Sequence, residues 1–164
     1  MEQNQNIQEE TLDFEINAST VKFHELRKKQ KPLYGISAGI LVSIAATSLW
    51  ILMASKYKLS WMAVAVAVGI AFSIQYSAKA VDFWYGLVGA GLSLISAITG
   101  NLFTAVFIFA KYKNIPSSEI FSELDISTAL SLLKALTQPL DYLMYIGAAY
   151  AGFYFSFKHF KPES

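Results

Sequence analysis

Four long apolar stretches separated by polar links dominate this chain. The first, LYGISAGILVSIAATSLWILMA, runs from Leu33 to Ala54 without a charged residue. SKYKLS follows, then WMAVAVAVGIAFSIQYS from Trp61 to Ser77. After AKAVDF comes WYGLVGAGLSLISAITGNLFTAVFIFA, Trp84 to Ala110, and the last stretch is PLDYLMYIGAAYAGFYFSF, Pro139 to Phe157. A helix needs about 20 mostly apolar residues to cross roughly 30 Å of hydrocarbon. Each stretch meets that length, the second by borrowing flanking residues. From Leu59 to Ala110 the only charges are Lys79 and Asp82. As one straight helix that run would extend about 78 Å, too long for a single crossing. The chain is therefore expected to turn back between Ser77 and Phe83 in a tight hairpin, with Lys79 and Asp82 pairing with each other or reaching to water. The alternation in WMAVAVAVGI also suits a strand. Both of its faces are apolar, however, and an isolated strand in lipid would leave its backbone unpaired, so a helix is expected.

The pattern predicts an all-α protein, a four-transmembrane-helix bundle with spans at about 33–54, 59–78, 84–110 and 139–157. Residues 1–31 read as a polar cytoplasmic segment, partly disordered, with a helix capped by Ser19 and running through VKFHELRKK. Residues 32–158 form the membrane domain and 159–164 a short tail. Between the third and fourth spans lies KYKNIPSSEIFSELDISTALSLLKALTQ, an expected interfacial helical loop. Ser117 or Ser118 caps a short helix carrying Ile120, Phe121 and Leu124. A second helix starts around Ser127 with Ala129, Leu133 and Leu136 in register. Such a loop rests with its apolar face inward, either as a lid over the bundle or as a connector, and connectors are the commoner case.

Positive charge sets the orientation. One side of the spans holds Lys22, Arg27, Lys28, Lys29, Lys31, Lys79, Lys158 and Lys161, and the other holds Lys56, Lys58, Lys111, Lys113 and Lys134. That excess, with RKKQK abutting the first span, places both termini in the cytoplasm. Trp50, Tyr57 and Trp61 then mark one membrane interface, and Tyr34, Tyr76, Trp84 and Tyr85 the other, where amphipathic rings gather.

Composition agrees. The chain is 54% hydrophobic and 15% charged, with a mean hydropathy of +0.40, against about a quarter charged in soluble domains. A net charge of +1 gives no basic field for nucleic acid. The lack of cysteine excludes disulfides, thiolate metal sites and a cysteine nucleophile. The acidic start, MEQNQNIQEETLDFEINAS, has no basic n-region or apolar h-region and is expected to stay in the mature protein. Its sequon Asn17-Ala18-Ser19 is inert on the cytoplasmic side.

Candidate chemistry is sparse. GISAG, Gly35 to Gly39, fits the nucleophile-elbow pattern G-x-S-x-G. An elbow needs a preceding strand and a convergent histidine and acid, yet Ser37 opens an apolar helix, and His24 and His159 lie outside the spans. The same residues make a better helix contact. Gly35, Gly39, Ser43 and Thr47 recur every four positions, and small side chains at that spacing let helix backbones approach in lipid. The other spans repeat it with Ala65, Gly69, Ser73 and Ser77; with Gly89, Ser93, Ala97 and Asn101 beside Ser96, Gly100 and Thr104; and with Gly147 and Ala151 beside Ala148 and Gly152. Asn101, and after it Gln75, are the candidate buried polar residues, each requiring a partner. An interhelical hydrogen bond is the expected role, a ligand contact the alternative. Asp141, just after Pro139, is expected to cap the last helix. No metal-ligand cluster, P-loop or dinucleotide fingerprint is present, so no cofactor or metal is expected.

At Gly100-Asn101 and at YIGAAYAGFYFSF the chain resembles small uncharacterised bacterial four-helix membrane proteins. These also combine a Gly-Asn step in the third span with an aromatic, glycine-containing final helix. The resemblance covers about Leu33 to Phe157 and implies a bacterial cytoplasmic membrane, without supplying an activity. Some of those proteins carry a cysteine-based zinc ribbon near the N-terminus, which a cysteine-free chain does not share. The expected function is a structural or interaction component, not an enzyme. Its expected partners are the lipid bilayer and either another copy of itself or another membrane protein. The alternative is a small transporter or channel subunit for a neutral or small solute, with Asn101, Gln75 and the 111–138 loop along the path. The lack of an ionisable residue at any span centre counts against it.

Overall fold

A computed structural model describes residues 21, 23–54, 61–122 and 125–158. The expectations for residues 1–20, for Lys22, Lys56, Tyr57, Lys58 and Leu124, and for His159 and Lys161 lie outside that set. Among the described residues every regular element is helical: α1 Pro32–Ala54, α2 Met62–Ala78, α3 Phe83–Lys113, α4 Ser117–Ser122, α5 Ile126–Leu136 and α6 Pro139–Phe155. Residues 23–28 are helical as well.

Local sequence explains the ends. Pro32 and Pro139 open α1 and α6, where a missing N–H costs nothing. Asp141 accepts the Gln138 backbone N–H at 2.8 Å, which satisfies an orphan donor at the start of α6. Lys79 terminates α2 in the left-handed region at φ 53°, and its N–H reaches the Gln75 carbonyl. Asn114 ends α3 in the same conformation at φ 56°, bonding back to Ala110. Asparagine tolerates that region well; lysine does so less readily. The expected caps Ser117 and Ser118 instead lie inside α4, because Pro116 occupies the position before it and accepts from Glu119 N. The third span also runs longer than expected, through Lys113, since nothing in FAKYK interrupts a helix.

Helices α2 and α3 form the inner pair. Each touches α1 and α6 as well as its partner, whereas α1 and α6 do not meet among the described residues. Helices α4 and α5 rest on α3 alone among those residues. The core lies where the four long helices converge, around Trp50 of α1, Ala67, Ile70 and Ile74 of α2, Ala97 of α3 and Ala148 of α6. By length and composition, α1 and α3 are able to cross a membrane. The shorter α2 and α6 have 17 residues each.

Small residues set the spacing. A Cβ added at Gly35 would fall on the Ala78 side chain, and one at Gly39 would stand 2.7 Å from Ile74 Cγ1. Between α3 and α6 the backbones themselves meet: a Cβ at Gly152 would lie 2.6 Å from the Gly89 carbonyl oxygen. At Gly100 it would lie 2.5 Å from the Trp50 ring. The glycine removes the side chain that would keep Trp50 out. Trp50 is therefore 4% exposed and not at an interface, a correction to the expectation for this residue. Tyr85 is corrected likewise, being buried, while Tyr34, Trp61, Tyr76 and Trp84 are exposed.

The second helix departs most from expectation. Ala65 and Gly69 face outward, and a Cβ at Gly69 would meet only Val42, at 3.9 Å. The buried face of α2 is instead Ala63, Ala67, Ile70, Ile74 and Ala78. With three neighbours to accommodate, α2 buries alanines over a wide arc, and its glycine lies on the open side. Gly147 is similarly relaxed, with Val64 at 3.5 Å from an added Cβ.

Substituting valine for Gly89 or Gly152 should lower the midpoint of thermal unfolding, each costing about 1–3 kcal/mol through overpacking. Gly69→Ala should leave it within about 0.5 kcal/mol of wild type. Equal effects at Gly69 and Gly89 would show that the seam is misplaced.

Candidate functional site

Two polar constellations join the helices, one toward the α5–α6 connection and one at the α2–α3 turn. In the first, Asn101 of α3 donates from Nδ2 to the Tyr145 hydroxyl of α6 at 2.6 Å. That hydroxyl also bonds the Thr137 side chain, and Thr137 Oγ1 donates to the Leu133 carbonyl at 2.5 Å. The relay therefore runs from α3 through α6 to the end of α5. Asn101 is half-buried, not fully enclosed, and Gln75 on α2 is also half-buried. The Gln75 backbone carbonyl receives the Lys79 and Ala80 amides at the helix end. Gln75 and Asn101 are thus not brought into one site by any hydrogen bond among the described residues.

The hydroxyls divide into two uses. Ser96 donates to the Leu92 carbonyl at 2.7 Å, so Ser43, 2.6 Å away, is the donor of the α1–α3 bond. The buried hydroxyls of Thr47, Ser93 and Thr104 have no hydrogen-bond partner among the described residues and act as small fillers at the seams. Ser37 donates to the Leu33 carbonyl at 2.8 Å from the exposed side of α1. It stands in mid-helix with neither strand nor elbow, and GISAG contributes its glycines to packing. Among the described residues no group of three His, Cys, Asp or Glu side chains is placed to hold a metal ion.

The second constellation centres on the turn between α2 and α3. Ala80 there is fully buried and Val81 nearly so. The Ala78 carbonyl accepts Lys31 N, from the segment before α1, at 3.0 Å. The Ala80 carbonyl accepts Lys158 N, from the segment after α6, also at 3.0 Å. Arg27 Nε bonds Asp82 Oδ2 at 3.1 Å. Assigning the Gln30 amide by its hydrogen-bonding surroundings puts its nitrogen 3.1 Å from Asp82 Oδ2 and its oxygen 3.2 Å from Val81 N, which completes the clasp. Asp82 is therefore partnered by Arg27 across 55 positions of sequence and not by nearby Lys79, whose left-handed backbone ends the helix while its side chain stays exposed. Since Arg27 is 58% exposed, the ion pair positions the segment more than it stabilises the fold.

This clasp gathers charge. Arg27, Lys28, Lys29, Lys31, Lys79 and Lys158 lie at this end with only Glu25 and Asp82 against them among the described residues. The opposite end balances Lys111, Lys113 and Lys134 with Glu119, Asp125 and Asp141. Sequence reasoning counted the lysines but did not find the contacts, because only the hairpin's fold brings residues 27–31 and 158 onto one turn.

Asn101→Leu and Tyr145→Phe should each lower thermal stability, and in a double-mutant cycle their coupling should be about 1 kcal/mol. Additive losses would mean that the bond carries no energy. Compared with known protein families, curated proteins and solved structures, the chain matches none of them significantly.

Proposed function

We propose that this chain is a four-span integral membrane protein and acts as a structural or interaction component of a bacterial cytoplasmic membrane, both ends of the chain facing the cytoplasm. One observation carries the reading: large apolar side chains cover much of the outside of the described helices, while the helix seams are built mainly of small residues. Seams are lined by glycine, alanine and serine, while Leu41 is 68% exposed, Ile95 62% and Ile146 72%. Leaving such side chains in water forgoes about 1.5–3 kcal/mol each. In hydrocarbon the same arrangement is stable, and helices then associate through small residues and interhelical hydrogen bonds.

Helices α1 and α3 have the length for a crossing. Helices α2 and α6, of 17 residues, rise about 26 Å each, and a few flanking residues or slight bilayer thinning supply the rest. The clasp at the basic end supports an even number of crossings, since both chain flanks meet the same turn. The excess of lysine and arginine there supports its cytoplasmic placement. In this setting α5 lies in the interface against α3 as a connector. The further partner is a second copy or another membrane protein. The transporter reading draws less support, because the Asn101 amide is engaged by Tyr145.

The absence of cysteine makes the test direct. In spheroplasts, a single cysteine at Lys134→Cys should react with a membrane-impermeant maleimide, and Lys28→Cys only after lysis. Cysteines replacing Leu41 or Ile146 should resist both conditions. Release of the wild-type protein by alkaline carbonate would sink the membrane reading. Liposomes containing the protein should show no solute flux above empty ones; flux that Asn101→Leu abolishes, with folding intact, would transfer the assignment to transport.

A further inference from the structure

Between the first turns of α1 and α3, beside the clasp, lies an open cleft of about 460 Å³. Its lining has two characters. Arg27, Gln30 and Asp82 form a polar rim, and Pro32, Ile36 and Val88 form an apolar wall that continues along the helices. Trp84 stands at its edge, exposed. From these features we infer that the cleft holds one anionic glycerophospholipid, its phosphate on the basic rim and one acyl chain along Ile36 and Val88. The inference rests on the membrane reading and adds a ligand to it.

Charge and shape support this occupant together. Among the described residues Asp82 is the only carboxylate in the lining, and Arg27 pairs with it while the reassigned Gln30 amide bonds it. The Arg27 guanidinium makes that bond through Nε, which leaves its terminal nitrogens as donors for a phosphate. Lys28 and Lys29 are exposed on the same segment, and Lys31 Nζ sits 5.5 Å from the Tyr34 ring centroid, anchored beside the mouth. A cluster of this density next to an apolar span attracts acidic headgroups, and each basic residue near the surface strengthens binding about fivefold. A soluble anion would need only the rim. The apolar wall suits a chain attached to that anion, and an exposed indole suits the headgroup level.

Full-length protein in detergent, titrated with phosphatidylglycerol or phosphatidylcholine and read by native mass spectrometry, tests the site. Phosphatidylglycerol should be retained preferentially. Arg27→Gln should weaken its retention about fivefold, while Arg27→Lys weakens it less. Ile36→Trp and Val88→Trp should weaken it with the charge unchanged, by filling the wall. Asp82→Asn should strengthen it by removing the competing carboxylate, and Lys134→Gln, at the other end, should leave it unchanged. Thermal unfolding of each variant confirms that it is folded. Equal retention of the two lipids, or retention indifferent to both tryptophan variants, would overturn the proposal. So would a matching loss in Arg27→Gln and Asp82→Asn, which would make the ion pair purely structural. Displacement of the lipid by millimolar inorganic phosphate would reassign the rim to a free anion. A carbonate-resistant protein without lipid preference refutes only this inference; release by carbonate refutes the membrane reading as well.

Discussion

Close approach of helix backbones is the constraint from which the rest of this structure follows. Where Gly35 meets Ala78, and where Gly89 meets Gly152, no volume remains for a larger side chain. Many of the larger apolar side chains, Leu41, Ile95 and Ile146 among them, project outward instead. Such an exterior is unfavourable in water and favourable in lipid. The lipid setting proposed for this protein thus rests on contacts between its smallest residues. It also explains why α1, whose seam is a single stripe of Gly35, Gly39, Ser43, Thr47 and Trp50, exposes so much apolar surface on its other sides.

The clasp on the α2–α3 turn performs a different task. Packing in lipid is weakly directional, because hydrocarbon solvates leucine as well as another leucine does. A set of backbone hydrogen bonds from residues on both flanks of the helices fixes relative depth in a way that dispersion does not. Lys31 and Lys158 donate to carbonyls two residues apart in one turn, so the outer helices α1 and α6 are referenced to the same point without touching each other among the described residues. The accompanying concentration of basic side chains puts the charge asymmetry of the described residues at the same end. One end of the molecule is thereby both its structural anchor and its electrostatic signature.

Polar side chains inside the assembly are used as connectors. Asn101, Tyr145 and Thr137 link α3, α6 and the end of α5, and Ser43 with Ser96 links α1 to α3. A lone amide in a dry interior is costly, so the partner supplied by Tyr145 permits Asn101 to sit where it does. The adjacent Gly100 works by subtraction, admitting the Trp50 ring. The Gly-Asn step therefore holds two opposite neighbours, one by absence and one by hydrogen bonding.

The sequence by itself determined that the chain is helical, the reversal near Lys79, and Pro139 with Asp141 at the start of the last helix, because these depend on local chain chemistry. In α1 and α3 the glycines and serines that recur at one-turn spacing lie at buried or partly buried positions. The sequence did not determine which face of α2 is inside, that Trp50 is buried, or that Asp82 pairs with Arg27. A helix apolar on every side carries no contrast between faces, so periodicity has nothing to read. The face is then chosen by how many neighbours press on the helix. With α1, α3 and α6 all against α2, Ala67 and Ile74 go in and Gly69 stays out. Tertiary structure decided those three outcomes because each depends on distant residues meeting, and the distance between them closes only when the helices pack.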